Sequence, residues 1–392
     1  MEPLDNVVQK YAWGSREAIA TLQGRPVPSA TPEAELWLGA HALAPSRVHR
    51  GALTLAELIA ASPQRTLGTR VIDTHGATLP FLLKVLAAEQ PLSLQAHPTL
   101  AQAREGFARE DAAGIARDAP NRSYKDANHK PELICALTPF DALCGFRAPS
   151  ELHALFTSLE VPALANACAT LSRQPDGTGL RAVFTSLFAL APSARASLVD
   201  AVCTAAARLR TGPFANAFAW TERFVALYPG DIGVVIALML RDVQLAPGEA
   251  LYLPAGNMHA YLHGVGVEIM ASSDNVLRGG LTPKHVDVPE LLRVLNFRDE
   301  AIPVVHAISR GAEQVYVTPA REFELSRIVV GNETVRLEVT GPEILLSTEG
   351  RVVVSCGEES HGLSRGASLF VPASTGTYTV RGAGTVFRAG VA

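Results

Sequence analysis

Three short segments of this sequence place polar side chains at every second position of an otherwise apolar stretch. The segments are PLSLQAH, which ends at His97, HKPE, which ends at Glu132, and PAGNMHAY, which ends at Tyr261. Because side chains alternate between the two faces of a strand, each segment groups its polar residues on one face. The residues grouped in this way are Ser93, Gln95, His97, Lys130, Glu132, His259 and Tyr261.

Gln95, His97, Glu132 and His259 together offer two nitrogen and two oxygen donors, and one divalent cation would explain them. Thiolates are common in structural zinc sites, whereas histidine with a carboxylate and an open position suits catalytic zinc or a similar ion. The same alternation also arises in a half-exposed antiparallel sheet whose polar face meets water. That explanation fits any one segment, but the occurrence of three such segments favours the metal site.

The elements that must position these side chains are predicted to be short strands. Residues 79–88, 91–97 and 132–136 are apolar runs bounded by turn-forming and polar residues, which is typical of strands. Residues 98–112 are predicted to form a helix with proline at its first position, because apolar residues recur there at helical spacing. The candidate ligands therefore belong to a sheet that a helix interrupts.

Between residues 148 and 229 the apolar residues recur at i, i+3, i+4 and i+7, separated by Pro-Asp-Gly and Thr-Gly-Pro breaks. This block is predicted to be an all-helical insert. From residue 233 short β-branched runs return and continue to residue 392, with a short helix around residues 289–295. The fold is therefore expected to be mainly β with an α-helical insert.

A weak internal repeat supports a barrel architecture. Residues 245–264 align without gaps on residues 363–382, and six positions agree. Each copy contains a turn, an apolar strand, a corner with proline and a second strand, which predicts a hairpin of a small β-barrel or jelly roll. His259 aligns with Thr377, so the second copy is expected to lack a ligand that the first one keeps.

Composition limits the class of partner and the compartment. The chain has 392 residues with 34 basic and 38 acidic side chains, so its net charge of -4 makes nucleic acid and anionic membrane poor partners. The most apolar stretch, residues 232–240, is about half of the roughly 20 residues needed to cross a bilayer. The first residues, MEPLD, resemble no export signal, so a cytoplasmic protein without a membrane span is expected.

Residues 248–259 match the second motif of the cupin superfamily, which is glycine, five residues, Pro-x-Gly, two residues and histidine. Six other segments follow one another along the chain: QKYAWG, AELWLG, LPFLLKVL, PLSLQAHP, YKDANHKPE and SDNVLRGGLTPK. In this order they resemble the type I phosphomannose isomerases, also called mannose-6-phosphate isomerases. The resemblance covers essentially the first 300 residues, and the last 90 fit only in outline.

The resemblance implies two cupin-like jelly-roll or β-barrel domains plus a helical domain. Residues 1–147 and 230–300 are expected to form a split catalytic cupin domain, and residues 148–229 the helical insert. Residues 301–392 are expected to form a C-terminal cupin-like domain that lacks metal ligands. The monomer is the expected oligomeric state, because the insert and the second barrel would cover apolar faces.

The activity that the resemblance implies is the interconversion of D-mannose 6-phosphate and D-fructose 6-phosphate by a zinc enzyme, through a cis-enediol. It would serve mannose catabolism or GDP-mannose supply, with the phosphosugar as the partner. The family's ligands to one Zn²⁺, which other divalent ions could replace, fall on Gln95, His97, Glu132 and His259. The arginine regarded as catalytic in the family falls on Arg278.

The sequence leaves the general base open among Asp274, His129 and Glu268. Asp274 is the first choice, because the run Ser-Asp-Asn leads directly to Arg278 and would place a carboxylate and a cation in one loop at the barrel mouth. An Asx turn is the alternative role for such a run.

The remaining candidates are expected to stabilise charge or contact the sugar. Arg278 is expected to stabilise enediolate or phosphate charge through its planar donor fork, with a surface ion pair as the alternative. Lys130 is expected to neutralise charge near the sugar, unless it is a solvated surface lysine. The candidates for substrate contact are Ser93 for the phosphate, and Tyr261, Glu268, Trp13 and Lys284, among which Trp13 could equally serve packing.

Two other functions remain open from the sequence. A cupin oxygenase or dehydratase would hold iron at the same site, although a glutamine ligand and the basic loop at Arg278 fit a phosphosugar better. A non-catalytic cupin that binds sugar as a sensor or storage protein would be expected to have lost a ligand or Arg278, and all of them are present.

Overall fold

A computed structural model describes residues 1–48, 51–331 and 333–392. Most of the described chain forms antiparallel strands. In chain order these are β1 (Glu2–Leu4), β2 (Val7–Gln9), β3 (Glu35–Leu38), β4 (Arg47–Val48), β5 (Leu53–Thr54), β6 (Phe81–Ala88), β7 (Leu94–Ala96), β8 (Glu132–Ala136), β9 (Phe140–Phe146), β10 (Leu240–Leu245), β11 (Ala250–Leu253), β12 (His259–Ala271), β13 (Leu277–Gly280), β14 (Val304–Val305), β15 (Ile308–Arg310), β16 (Glu313–Tyr316), β17 (Glu324–Val330), β18 (Val335–Glu338), β19 (Glu343–Cys356), β20 (Glu359–Ser364), β21 (Ser368–Val371) and β22 (Thr377–Gly390).

The helices lie on the outside of the sheets or in one block between β9 and β10. They are α1 (Ala18–Leu22), α2 (Leu55–Ala61), α3 (Pro63–Leu67), α4 (Thr69–His75), α5 (Leu100–Ala112), α6 (Pro149–Ser158), α7 (Ala165–Arg173), α8 (Gly177–Phe188), α9 (Pro192–Ala206), α10 (Ala215–Leu227), α11 (Gly233–Ala237) and α12 (Val288–Val294). The expectation of a mainly β fold with a helical insert is confirmed.

The first sheet has 11 strands and is organised around β12. Along its length β12 pairs with β6, β7, β8 and β9, and the sheet also contains β2, β3, β10, β11, β13 and β14. Every residue of β6 and β8 is buried, as is typical of strands with both faces covered. One face of these strands meets the interior that contains the site, and the other packs against α1–α4 and the second sheet.

The second sheet has nine strands, with β19 and β22 paired over most of their length. Two departures from the expected domain boundaries follow from strand pairing. Residues 2–4, which we assigned to the first domain, pair with β21 in the second sheet. Val304 and Val305, which we assigned to the C-terminal domain, extend the first sheet by pairing with β11. Both short strands cover an edge of the neighbouring sheet, which local sequence does not reveal.

The internal repeat of the sequence corresponds to a structural repeat. β11 and β21 span aligned residues, and β12 and β22 begin at the aligned residues His259 and Thr377. The aligned glycines Gly264 and Gly382 have φ values of 121° and 127°. A Cβ there would lie 2.7 Å and 2.5 Å from a backbone oxygen of the adjacent strand, so both positions require glycine.

Helices α6–α11 occupy the predicted insert and extend it slightly past residue 229. Their buried leucines, valines and phenylalanines share one core with the first sheet, through contacts that include Leu94, Phe146 and Leu277. In the part of the chain that the structure describes, no single helix is long and apolar enough to cross a membrane. The pair α8 and α9 reaches that length and composition together, with a bend of 114°.

Helix α5 begins two residues later than we predicted. Thr99 is its N-cap: the Thr99 hydroxyl accepts from the Gln102 backbone N–H at 3.2 Å, and the Gln102 side chain accepts from the Thr99 N–H at 2.9 Å. This capping box satisfies two N–H groups that the helix leaves unpaired, so Pro98 lies outside the helix rather than at its first position.

Candidate functional site

Strand β7 places three of the predicted site residues side by side. It lies between β12 and β13, where Gln95 is the register partner of His259 on one side and of Arg278 on the other. Gln95 and Arg278 are 183 residues apart along the chain. They nevertheless lie opposite each other on neighbouring strands. Register places these three residues together although the side chain of Gln95 is only half-buried.

Three of the four predicted ligands converge on one point. Single donor atoms of His97, Glu132 and His259 all lie within 4.8 Å of one another. The Nε2 atoms of His97 and His259 lie 3.3 Å and 3.5 Å from Glu132 Oε2. All three side chains are at most 2% exposed, and in the described ranges none of these three atoms has a hydrogen-bond partner.

The hydrogen bonds at the other ring nitrogens fix the tautomers of these histidines. The Nδ1 of His97 lies 2.7 Å from the backbone oxygen of Asn275, and that of His259 lies 3.1 Å from the backbone oxygen of Asn257. A carbonyl oxygen only accepts, so in the neutral ring Nδ1 carries the proton and Nε2 presents its lone pair. Two lone pairs and a carboxylate oxygen thus face one another in a buried site, and a divalent cation is the group that satisfies all three.

Burial and charge keep this donor set in the form that binds a metal. Burial lowers the pKa of His97 to about 4 in spite of the nearby Glu132, so its ring is neutral near pH 7. Burial would raise the pKa of Glu132, but Lys130 and His97 hold it well below its ordinary range. Lys130 Nζ lies 2.8 Å from Glu132 Oε1, which leaves Oε2 to face the imidazoles. Lys130 is buried, so the solvated-lysine alternative is wrong.

A buried lysine that the sequence analysis did not select lies on the same interior face. Lys84 Nζ lies 3.2 Å from Glu268 Oε2 and 3.6 Å from Glu35 Oε1. Burial alone would lower the pKa of Lys84, but the two carboxylates raise it above the ordinary lysine value, so the ammonium stays charged. Lys84 is the only charged residue of the strand FLLKVLAA. A single charge in such an apolar run is the sequence feature that indicates a buried ion pair.

Glu268 is more constrained than the other candidate bases. It is 2% exposed and paired with Lys84, and burial raises the pKa of its carboxyl.

Tyr261 lies nearby with its hydroxyl fully buried, and no hydrogen-bond partner exists for it among the described residues. Burial raises the pKa of Tyr261 well above its ordinary value, so the hydroxyl keeps its proton and remains available as a donor.

Trp13 combines a packing role with a position near this interior. Its ring stacks on that of Tyr11 at a centroid distance of 5.8 Å, and it packs against the cluster that contains Tyr261. Its backbone oxygen also accepts from the N–H groups of Glu89 and Gln90. Packing is therefore what the contacts of Trp13 establish.

Arg278 reaches from β13 to Ser93, whose hydroxyl accepts from Nη1 at 2.7 Å. No carboxylate of the described chain pairs with this guanidinium, so the surface ion-pair alternative is wrong. A cavity of about 470 Å³ is lined by Arg278, Lys284, Lys125 and Asp274, among others. The charge of Arg278, together with burial and Lys125, lowers the pKa of Lys284. Asp118 and Asp287 line the same cavity, so an anionic ligand is favoured only at the part of the wall where Arg278, Lys284 and Lys125 repel one another.

Asp274 lies in a loop that is held from two directions. Its backbone N–H donates to Asp126 Oδ2 at 2.7 Å, and its Oδ1 lies 3.3 Å from His41 Nε2. The Asp274 side chain is 34% exposed and lines the cavity. The neighbouring Asn275 is fully buried, and its side chain accepts from the N–H groups of Lys125 and Asp126. The local turn is closed by Ser273, whose hydroxyl accepts from the Asn275 N–H at 3.2 Å.

His129 is not brought to the converging donors. Its Nε2 lies 2.6 Å from Glu322 Oε1, on the segment that precedes β17. The adjacent Lys130, in contrast, contacts Glu132 through its Nζ. The contacts of His129 join the first sheet to the C-terminal part of the chain, and they give no support to a catalytic role.

Two models of known protein families match parts of this chain. A family model described as phosphomannose isomerase type I, catalytic domain, matches residues 1–149. A second model, described as mannose-6-phosphate isomerase, cupin domain, matches residues 313–391.

Relatives match nearly the whole chain. Mannose-6-phosphate isomerase of Escherichia coli is 40% identical over 396 residues, which cover 99% of each chain. The Homo sapiens protein of that name is 34% identical, covering 95% of this chain and 93% of its own. The crystal structure of mannose 6-phosphate isomerase from Salmonella typhimurium bound to fructose 6-phosphate and zinc superposes with a TM-score of 0.93 at 37% identity, covering 100% of this chain and 99% of that one.

Proposed function

This chain belongs to the type I phosphomannose isomerase family, and we propose that it is a zinc-dependent isomerase that interconverts D-mannose 6-phosphate and D-fructose 6-phosphate. The observation that carries this proposal is the group of three buried donor atoms, on His97, Glu132 and His259, that have no hydrogen-bond partner within the described chain. We propose Gln95 as the fourth ligand, and its strand register beside His259 supports this assignment.

A zinc ion held by Gln95, His97, Glu132 and His259 supplies a Lewis acid that stabilises negative charge on substrate oxygens. The protein's own contribution is to hold those donors in one protonation state. Lys130 binds the second carboxylate oxygen of Glu132 and so fixes its orientation. The side chains of His97, Glu132 and His259 are at most 2% exposed, so water is excluded from them. This exclusion strengthens every charge interaction at the site.

The reaction requires the transfer of protons along the open-chain sugar. A base removes the proton on C2 while the carbonyl oxygen on C1 gains one, which gives the cis-enediol. The hydroxyl on C2 then loses its proton and C1 gains one, which gives the ketose. We propose Asp274 as the base, since this residue lines the cavity and its side chain is 34% exposed, whereas Glu268 is enclosed by an ion pair with Lys84 and His129 contacts Glu322.

The phosphate is proposed to bind at the cationic side of the cavity. Arg278 supplies a planar donor fork that Ser93 orients through its hydroxyl. Lys284 and Lys125 line the same wall as point charges. Anion binding would relieve the repulsion among these cations, so the phosphate contributes affinity and orients C1 and C2 toward the base.

The setting of the enzyme completes the proposal. We propose a monomer that acts in the cytoplasm on a free phosphosugar and takes part in mannose catabolism or GDP-mannose supply. The formal net charge of -4 supports a small-molecule partner rather than nucleic acid or an anionic membrane surface.

An enzyme-coupled assay on mannose 6-phosphate tests the function. The purified protein should be active, lose activity with a chelator and regain it on addition of zinc. His97→Ala should lose both zinc and activity, whereas Arg278→Ala should keep its zinc while activity falls by about 10²-fold or more, as for loss of one charge-stabilising donor. Arg336→Ala, an exposed arginine on β18, is the matched control and should behave as the wild type.

Two results would refute the proposal. Full activity after complete removal of metal would exclude the zinc site from the reaction. The other result is a zinc-loaded protein without activity on mannose 6-phosphate: an iron-dependent oxygenase or dehydratase activity would then favour that alternative, and its absence would leave a sugar-binding cupin.

A further inference from the structure

The side chain of His41 contacts the carboxylate of Asp274, and the proton transfers proposed above assign no role to His41. His41 is 7% exposed and follows β3 in a tight turn, in which the Ala44 N–H donates to the His41 backbone oxygen at 3.1 Å. Its Nε2 lies 3.3 Å from Asp274 Oδ1, and Asp274 is 233 residues away along the chain. The half-exposed carboxylate at the cavity is thus backed by a buried imidazole.

The tautomer of His41 is fixed by its own backbone. The Leu43 N–H donates to His41 Nδ1 at 3.3 Å, so Nδ1 must present its lone pair. In the neutral ring the proton is then on Nε2, and it points at the carboxylate of Asp274. This arrangement is opposite to that of His97 and His259, whose Nδ1 atoms carry the proton. His41 is therefore arranged to donate a hydrogen bond rather than to bind a cation.

The His41 ring is held rigidly from the interior side. It packs edge-on against Trp37 at a centroid distance of 4.8 Å. Trp37 Nε1 donates to Glu35 Oε2 at 2.7 Å, and Glu35 is part of the buried ion pairs of Lys84. The donor at His41 Nε2 is thus anchored to β3 through Trp37, whereas Asp274 lies in a loop.

We propose that His41 is a positioning residue that fixes the orientation of the Asp274 carboxylate beside the cavity through a hydrogen bond from Nε2–H. This inference rests on the proposed function, in which Asp274 removes and returns the substrate proton. His41 does not line the cavity with Asp274, so it acts on the reaction only through that carboxylate.

The charged and polar groups around Asp274 determine its pKa, and the hydrogen bond from His41 is one of them. Burial raises the pKa of Asp274, but donation from His41 and the charges of Lys130 and Lys125 lower it overall. Tyr11, which follows β2, also faces this carboxylate. It is uncharged near pH 7, because burial and nearby carboxylates raise its pKa. Loss of the donor at His41 is therefore expected to raise the pKa of Asp274 and to free its rotation.

A pair of variants with equal side-chain length isolates the hydrogen bond. His41→Gln keeps an N–H donor near the position of Nε2, whereas His41→Met fills the space without one. In the zinc-loaded enzyme we expect His41→Met to lower kcat by about 10-fold or more, with zinc content unchanged and KM within about twofold, since one positioned base contributes roughly 10²- to 10⁴-fold. His41→Gln should recover most of that loss.

A double-mutant cycle separates positioning from a structural role. If His41 acts through Asp274, His41→Met should change kcat by less than about twofold in the Asp274→Asn background. An equal fold-loss in both backgrounds, or equal losses for His41→Met and His41→Gln, would overturn the inference.

A second readout does not depend on turnover. The carboxyl of Asp274 is followed by ¹³C NMR of the zinc-loaded protein labelled in aspartate, with Asp274→Asn for assignment. The pKa of Asp274 should be higher in His41→Met than in the wild type, and an unchanged value would overturn the inference. Failure of the wild type to isomerise mannose 6-phosphate would refute the proposed function instead, while this titration still tests the pairing of His41 with Asp274.

Discussion

The backbone oxygen of Asn275 accepts the Nδ1–H of His97 at 2.7 Å, while the side chain of Asn275 fastens the loop that leads to Glu132. That side chain is fully buried and donates to the backbone oxygens of Asp126 and Asn128, both at 2.8 Å. One residue therefore sets the orientation of one ligand and the path of the chain toward another. Groups that orient metal ligands in this way commonly change metal affinity by 10- to 100-fold when they are lost.

Asn275→Ala keeps the backbone oxygen that accepts from His97 but removes the side-chain hydrogen bonds that hold this oxygen in place, so zinc binding should weaken by about 10-fold or more. The protein should also be less stable, because buried N–H and C=O groups of the loop lose their partners. Each unsatisfied buried group costs about 1–3 kcal/mol, so the free energy of unfolding should fall by roughly 2–4 kcal/mol. Competition with a chelator and denaturant unfolding measure the two effects. Asn166→Ala, an exposed asparagine on α7, is the control, and a zinc affinity equal to the control's would contradict the prediction.

The local alternation of the ligand segments was sufficient to group the three donors that converge, His97, Glu132 and His259, because strands of this sheet keep period two where they carry the site. Asn275 and His41 were not selected, since each acts through a hydrogen bond to a residue far along the chain. No local pattern encodes such a contact. Lys84 was also missed, although a single charge in a fully buried strand indicates a buried ion pair.

Metal removal should destabilise the folded state. Without a cation, the Nε2 lone pairs of His97 and His259 face Glu132 Oε2, and Lys130 neutralises only the other oxygen of that carboxylate. A ligand present at 100 times its dissociation constant stabilises the folded protein by about 2.7 kcal/mol. Chelator-treated protein should therefore have a lower Tm, which zinc restores. The His97→Ala/His259→Ala double variant should show no such rise, and a rise equal to that of the wild type would place the stabilising zinc elsewhere.

Lys84→Met should destabilise the protein severely, because it leaves the carboxylates of Glu35 and Glu268 buried without a counter-charge. Loss of one partner of a buried ion pair typically costs 3–5 kcal/mol, so we expect a decrease of about that size in the free energy of unfolding. Adding Glu268→Gln should recover part of this loss of stability, because it removes one of the two unpaired carboxylates. Denaturant unfolding measures each step, and Lys10→Met, at an exposed position, is the control. A Lys84→Met protein as stable as this control would contradict the prediction.

The contact between His129 and Glu322 should make stability depend on acid pH. Burial raises the pKa of the Glu322 carboxyl, but His129 and backbone N–H groups lower it below the ordinary glutamate value of 4.5 overall. A carboxyl with a depressed folded pKa stabilises the protein fully above its unfolded pKa, and the stabilisation is lost as the pH falls from there through the folded pKa. Unfolding of wild type and Glu322→Gln, followed between about pH 3 and pH 6, should therefore give a shallower acid slope for the variant. Glu358→Gln, at an exposed position between β19 and β20, should keep the wild-type slope. Identical slopes for all three proteins would show that this contact contributes nothing to the junction between the first sheet and the C-terminal part of the chain.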